Sequence, residues 1–325
     1  MTKTAPVGRA SQFLSRWLYA LAPLSVLILL AIVIGSREPR FFSGGNLSNV
    51  VIRNVSLALI AVGETVVIIA GQIDLSVGSV MALSAVSAAL TLKATNVLAL
   101  ALLVGVLVGV LCGLVNGLVT TKAKLPAFIA TLAMMGLARG LALVLAKART
   151  VEAPSHLSSL IGRPVLGVQV AIWLLVVAAL VAWLVLSRMV FGRNTYALGS
   201  NPVAARLSGI RVDRSVILIF ALNGLLVGMA GMVEFMQNTC ASPTMGQLKE
   251  LDAIAAVVIG GASLSGGQGS VAGSLLGVAI MAVLQNGCNL LKLPNEWQKV
   301  VIGPLIVLAV LCDRWLKQRQ AARGR

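Results

Sequence analysis

Ionisable and amide side chains interrupt the apolar segments of this sequence at several points. These residues are Glu64, Asn116, Arg139, Asn223, Glu234, Asn286 and Asn289. An ionisable group inside an apolar segment is costly and usually faces a cavity or a partner. We therefore expect Glu64 and Glu234 either to line a polar path or to pair with Arg139, and the asparagines to hydrogen-bond one helix to another.

No arrangement expected of a catalytic or metal centre is present. The single histidine, His156, has no second ligand nearby in sequence, and neither HExxH nor GxSxG occurs. The pentapeptide Leu-Ser-Gly-Gly-Gln at 264–268 also occurs in soluble ABC ATPase domains, but no GxxxxGK(S/T) phosphate loop accompanies it. We predict that this chain hydrolyses no ATP and binds no metal or cofactor.

A short polar segment, Gly-Gln-Ile-Asp-Leu-Ser at 71–76, separates two apolar runs. Asp74 and Ser76 suit the positions before a helix, where a carboxylate lies near the positive end of the helix dipole. Capping is one interpretation of this segment. The other is that Gln72 and Asp74 form a gate or contact a moving partner.

The composition predicts an integral membrane protein that positions these residues on membrane-spanning helices. Of 325 residues, 58% are hydrophobic and 11% are charged, with a mean hydropathy of +0.96, whereas a soluble domain is about a quarter charged. A span needs about 20 mostly apolar residues. We place ten spans, near 17–35, 50–70, 75–92, 97–120, 126–146, 168–186, 215–237, 251–263, 271–291 and 300–313. The eighth is too short to cross, which indicates a half-helix or re-entrant segment surrounded by protein.

The distribution of basic residues orients these spans. With the N-terminus inside, 15 of the 26 Lys and Arg residues fall on the cytoplasmic side and 10 on the other, which agrees with the positive-inside rule. This bias accounts for the net charge of +16 without nucleic acid as a partner. The expected organisation is a cytoplasmic tail (1–16), one transmembrane domain (17–313) and a basic cytoplasmic tail (314–325).

Two further features predict helix contacts. Gly105, Gly109, Gly113 and Gly117 recur at every fourth position, which favours close helix packing over a substrate path lined by bare backbone. The loop 187–214 contains Asn201 as a helix cap, Pro202 at the first helical position and Gly209 just beyond the end. Its apolar strip could dock into a groove of a motor subunit or rest on lipid headgroups.

Four blocks of sequence, in this order, resemble the ribose/xylose/galactose class of ABC sugar permeases, and its ribose type above all. They read QIDLSVGS from Gln72, GRNTYALGSNPVAARLSGI from Gly192, ELDAIAAVVIGGASLSGG from Glu250 and NGCNLL from Asn286. The resemblance covers residues 42–313. It departs from the class pattern at Gln72, Glu64 and Cys288, which weakens any inference about the substrate.

This resemblance implies the ten-helix permease fold of vitamin B12-type importers, with both termini cytoplasmic, in the bacterial inner membrane. It implies a homodimer, a periplasmic sugar-binding protein, and an ATPase with two fused nucleotide-binding halves that would hold ATP and Mg. The implied function is import of a ribose-like monosaccharide by alternating access. The coupling helix would comprise Asn201, Pro202, Ala205, Arg206, Leu207 and Gly209. The candidate path or gate residues are Glu64, Gln72, Asp74, Asn116, Asn223, Glu234 and Asn286.

An ion-coupled secondary transporter of a small polar solute is the alternative. Such a protein favours interacting acids within the membrane and broken helices. Glu64, Glu234 and the short eighth span keep this alternative open.

Overall fold

The computed structural model describes residues 9–294 and residue 300. The tenth predicted span (300–313) and the basic tail (314–325) lie outside the described residues, apart from residue 300, as do residues 1–8 of the N-terminal tail. Within the described part the helices are α1 (Arg9–Arg37), α2 (Gly44–Arg53), α3 (Val55–Ile69), α4 (Val77–Thr95), α5 (Leu98–Lys122), α6 (Ala127–Leu145), α7 (His156–Ile161), α8 (Val170–Arg188), α9 (Val190–Ser200), α10 (Pro202–Leu207), α11 (Val212–Asn238), α12 (Lys249–Ile259) and α13 (Val271–Leu290).

Every span predicted before residue 294 coincides with a helix. Six helices in the described part are long and apolar enough to cross a membrane, namely α4, α5, α6, α8, α11 and α13. The predicted span 50–70 is not one straight helix, because α2 and α3 meet at a 48° bend and together make a seventh candidate. Asn54 lies at this bend and its side chain donates to the carbonyl oxygen of Val50 (2.8 Å).

The predicted eighth span corresponds to a short helix, as its length indicated. α12 has 11 residues, which gives a length of about 16 Å at 1.5 Å per residue. A turn follows with Gly261, Gly266 and Gly267 at positive φ, a conformation that suits glycine. The amide of Gly267 donates to the carbonyl oxygen of Ile69 (2.8 Å), so this turn returns to the end of α3.

The glycine ridge of α5 packs closely against another helix, as predicted, and that helix is α11. A methyl group added at Gly109 would lie 2.8 Å from the Cα of Gly228 and closer still to the carbonyl oxygen of Gly224. The absence of side chains therefore lets the two backbones approach closely, which is how membrane helices gain packing energy without a hydrophobic drive.

The start of α4 lies inside the bundle, which the sequence did not predict. After α3 ends, residues 70–76 turn back toward the interior, where Asp74 and Ser76 are buried. α4 begins there, at Val77, with Gly78 packed closely against Gly246 just before α12. Two helix starts thus meet within protein, which satisfies the rule that irregular backbone at membrane depth must be shielded from lipid.

The connections gather on two opposite faces. One, which we call the α10 face, carries α9 and α10 (190–207), the end of α3 and the turn between α12 and α13, because Gly199 packs against Ile69 and Gly267. The other, the β-pair face, carries β1 (Val151–Glu152) paired antiparallel with β4 (Cys240–Ala241). A second hairpin, β2 (Pro164–Val165) with β3 (Val168–Gln169), lies in the connection before α8.

Candidate functional site

Four of the seven predicted path or gate residues meet in the interior. Glu64, Asp74, Asn116 and Asn223 are at most 3% exposed, and Ser76 (1% exposed) joins them. We call these five residues the interior polar cluster. They come from α3, the 70–76 link, α5 and α11, so the cluster ties four parts of the chain together.

The amide of Asn223 connects the two acids of this cluster. Its Nδ2 donates to Asp74 Oδ2 (3.0 Å) and to Glu64 Oε1 (3.4 Å). Asp74 lies just before the start of α4, as predicted, and its carboxylate takes part in this network.

Ser76 completes the network around Asp74. Its backbone amide (2.8 Å) and its hydroxyl (2.6 Å) both donate to Asp74 Oδ1, so Asp74 bonds Ser76 itself rather than the first turn of α4. Asn116 Nδ2 donates in turn to the Ser76 hydroxyl (3.0 Å). Asn116 and Asn223 thus connect helices, as predicted for buried asparagines.

Electrostatics distinguish this cluster from an ordinary structural network. Neither Glu64 nor Asp74 forms an ion pair with a basic residue of the described part of the chain. Two side-chain atoms of the cluster, Glu64 Oε2 and Asn223 Oδ1, are buried without a hydrogen-bond partner among the described residues. Two adjacent carboxyl groups around one amide can hold a proton.

Glu234 belongs to a separate site near the C-terminal end of α11. Its Oε2 accepts hydrogen bonds from Lys249 Nζ (2.6 Å) and from the Ser56 hydroxyl (2.5 Å), and Lys249 Nζ also donates to Ser56 Oγ (2.8 Å). The charge of Glu234 is thus neutralised by Lys249, and the predicted alternative that it pairs with Arg139 is wrong.

Arg139 instead holds a backbone segment in place. Its Nη1 donates to the carbonyl oxygens of Pro243 (2.6 Å) and Met245 (2.9 Å), and within the described residues it interacts electrostatically with Glu250. Pairing of Arg139 with Glu64 is also wrong, since Glu64 lies in the interior polar cluster. Arg139 therefore fixes the segment that leads into α12.

The remaining two path candidates lie apart from the cluster. Gln72 is half-buried in the 70–76 link, two residues before Asp74. Asn286 exchanges two amide hydrogen bonds with Asn46 of α2, at 3.0 and 2.9 Å. The structure thus brings together four of the seven candidates and separates Gln72, Glu234 and Asn286 from them.

On the α10 face, the predicted capped helix is present. Asn201 Oδ1 accepts from the amides of Val203 (3.0 Å) and Ala204 (2.9 Å), Pro202 begins α10, and Gly209 has φ +82°. The loop holds one more helix than predicted, because α9 precedes α10. The predicted single short helix between two spans is therefore wrong in number.

The side chains of α10 divide into a buried and an exposed set. Ala205 is 4% exposed, while Val203 and Leu207 are 68% and 85% exposed on one side of the helix. Arg206 forms an exposed ion pair with Asp213 at 3.5 Å, which contributes little stability. The helix thus presents two unpartnered apolar side chains.

α9 anchors α10 to the rest of the bundle. The Tyr196 hydroxyl donates to the carbonyl oxygen of Gly269 (2.8 Å), and burial raises the pKa of this phenol. Gly199 packs against the backbone of Ile69 and Gly267 so closely that any side chain there would clash. A displacement of α10 must therefore move the end of α3 and the turn before α13.

Sequence reasoning missed Lys249 and Asn46 as partners. Lys249 lies just before the predicted span 251–263, and its position next to Glu250 and Asp252 is the one local sign of a charge pair. Asn46 lies 240 residues from Asn286, and no local pattern connects the two.

Comparison with known proteins shows the family of this chain. A family model described as the branched-chain amino acid transport system / permease component matches residues 46–310. The ribose import permease protein of Escherichia coli (strain K12) is 40% identical over 320 residues, covering 95% of this chain and 98% of that protein. No solved structure matches the chain.

Two further relatives cover similar extents. The ribose import permease protein of Bacillus subtilis (strain 168) is 44% identical over 298 residues, covering 90% of this chain and 92% of that protein. The xylose transport system permease protein of Escherichia coli (strain K12) is 34% identical over 366 residues, covering 91% and 93%. The chain therefore belongs to this permease family, in its ribose/xylose class of ABC sugar permeases, and is a multi-pass protein of the bacterial inner membrane.

Proposed function

We propose that this chain is the membrane-spanning subunit of an ATP-driven importer that moves a ribose-like monosaccharide into the cell by alternating access. The observation that carries the proposal is the capped helix α10, which presents Val203 and Leu207 to solvent. Two exposed apolar side chains on a rigidly anchored helix fit a groove on a partner better than they fit water. The names of the relatives supply the substrate class.

The partners follow from the same reasoning. Each chain would have the ten-helix permease fold of the vitamin B12-type importers, with the tenth span at 300–313 and both termini in the cytoplasm. A second copy of the chain would complete the membrane-spanning part as a homodimer. An ATPase with two fused nucleotide-binding halves would dock at the α10 face and hold ATP and Mg. A periplasmic sugar-binding protein would deliver substrate to the β-pair face.

Movement of the ATPase would reach the interior through α9 and the 70–76 link. Asn201, Pro202, Ala205, Arg206, Leu207 and Gly209 form the coupling segment of this proposal. α9 packs against Gly71 as well as Ile69, and three residues beyond Gly71 the chain enters the interior polar cluster. That cluster, with Gln72 beside it, is then the gate that alternates between the two faces.

One observation favours ion-coupled transport as a second candidate. Glu64 and Asp74 are buried together without a described basic partner, which is the arrangement expected of a proton site in a secondary transporter. The two functions make opposite predictions about energy sources, so one reconstitution separates them.

The test begins with purification through a C-terminal tag in mild detergent. We expect a soluble chain with two phosphate loops to co-purify. Ribose uptake by liposomes should then require ATP on the side of the membrane where the α10 face and this ATPase lie. Uptake by the isolated chain with an ion gradient and no ATP would reject the importer and favour the secondary transporter.

A paired substitution tests the coupling helix. Leu207→Ser removes an 85% exposed side chain on the α10 face, and Leu166→Ser removes an 88% exposed side chain between β2 and β3. We expect Leu207→Ser alone to lower ATPase association and uptake, by tenfold or more if about 1.5 kcal/mol of buried apolar contact is lost. Equal behaviour of both variants would reject α10 as the coupling helix.

A further inference from the structure

We propose that an amide-lined pocket between α2 and α13 binds the neutral polyhydroxylated substrate at the β-pair face. This inference rests on the proposed function and adds the residues of this chain that contact the sugar. The pocket has a volume of about 400 Å³, within the range of small-molecule sites and large enough for a monosaccharide with some water. We call it the amide pocket.

The pocket is formed by one polar stripe from each helix. α2 contributes Asn46, Asn49 and Arg53, and α13 contributes Gln285, Asn286 and Asn289. In α2 the spacings are three, four and seven residues, and in α13 Asn289 lies three and four residues after Asn286 and Gln285, so each set lies on one side of its helix. The bend at Asn54 turns α2 away from α3, which leaves room between the two stripes.

One pair of amides fixes the position of the pocket. Asn46 and Asn286 exchange hydrogen bonds in both directions, and Asn46 Nδ2 also donates to the carbonyl oxygen of Phe41 (2.9 Å). These two side chains are thereby held in one orientation. They make a rigid floor that joins the two helices.

Other side chains around this floor are free to bind a ligand. Asn49, Gln285 and Arg53 line the pocket and make no side-chain hydrogen bond with another described residue. An amide carries both a donor and an acceptor, and a sugar hydroxyl needs both at once. Asn49 and Gln285 from opposite helices therefore match vicinal hydroxyl groups.

The charges around the pocket are few. Among the described residues that line it there is no acid, and Arg53 is the one basic residue. α13 ends at Leu290, so its C-terminal, partly negative end lies toward this region and partly offsets the guanidinium. The rest of the polar lining consists of amides, which suit the hydroxyl groups of an uncharged sugar.

Few hydrogen bonds to exposed side chains give weak binding, which suits a site that must release its ligand. Ribose binding to the purified full-length chain in nanodiscs is therefore measured by saturation-transfer NMR. We expect the Asn49→Ala/Gln285→Ala variant to raise the dissociation constant roughly tenfold, since each lost hydrogen bond contributes about 1 kcal/mol or less. Neither residue bonds to the described protein, so the variant should fold, which monodispersity in detergent verifies.

The matched control is Gln169→Ala, which removes an amide from the end of the second hairpin, outside the pocket. We expect it to bind ribose like the unmodified chain. Unchanged ribose binding by the double variant overturns the proposal, as does a chain that binds none of ribose, xylose, galactose or myo-inositol. Because no ATPase is present, these outcomes are separate from failure of the ATP-driven function.

Discussion

The contact between α5 and α11 gives the sharpest test of the fold, through Gly109→Ala. The added methyl group would lie 2.8 Å from the Cα of Gly228, whereas ordinary contacts of a Cβ begin at 3.4 Å. The helices must therefore separate locally by at least about 0.6 Å. The neighbouring atoms are backbone, which cannot move aside as a side chain can.

Separation removes packing on both sides of the contact, because dispersion falls steeply over such a gap. Overpacking of this kind costs about 1–3 kcal/mol, and the rigid backbone favours the upper part of that range. We expect the free energy of unfolding in mixed detergent–SDS micelles to fall by about 2–3 kcal/mol.

Gly136→Ala is the matched control for this experiment. Gly136 also lies within a membrane helix, α6, but nothing lies within 4 Å of a methyl group added there. Alanine favours the helix by up to about 1 kcal/mol over glycine, so this variant should be at least as stable as the unmodified chain. Equal stability of Gly109→Ala and Gly136→Ala would refute the close approach of α5 and α11.

Two further predictions concern the interior polar cluster and α9. Glu64→Gln should retain stability, because a neutral amide can satisfy the buried partnerless atoms of the cluster without a second buried charge. Glu64→Ala should instead lose about 2–3 kcal/mol through cavity formation. SDS unfolding of the two variants checks this, and equal losses would contradict it. Tyr196→Phe should cost about 1 kcal/mol near pH 8 through the lost bond to Gly269. Because burial raises the pKa of Tyr196 in the fold, its stabilising contribution is complete below the ordinary pKa of 10.0 and is lost as the pH rises through the folded pKa. The unmodified chain should therefore lose more stability than Tyr196→Phe between pH 8 and about 11. Parallel curves of stability against pH would contradict the burial of this phenol.

Features encoded within one helix could be predicted from the sequence. Hydropathy located the spans, because each helix must bury its backbone groups in apolar surroundings. Asn201 and Pro202 marked the start of α10 through capping chemistry that needs no tertiary contact. The glycine spacing in α5 indicated close packing, although not that α11 is the partner.

Contacts between distant segments could not be predicted in this way. Asn223 lies 149 residues from Asp74 and 159 from Glu64, and each residue alone is compatible with several partners. The charge of Glu234 illustrates the same problem, since Lys249 and Arg139 were both available and only the packing of α12 decides between them. α9 escaped prediction because its polar sequence lacks the apolar run that marks a span.

The 70–76 link connects the α10 face to the interior polar cluster, and its length limits how a movement can pass from one to the other. Gly71 lies beside Gly199 of α9, and Asp74 is only three residues further along the chain. Three residues span at most about 11 Å when fully extended, so the link has little slack between the α10 face and the interior. A displacement of α9 by a few ångströms must either move Asp74 relative to Asn223 or break the close approach at Gly199. The second outcome would lose the packing for which glycine is required there, so we expect a displacement of α9 to move the interior polar cluster.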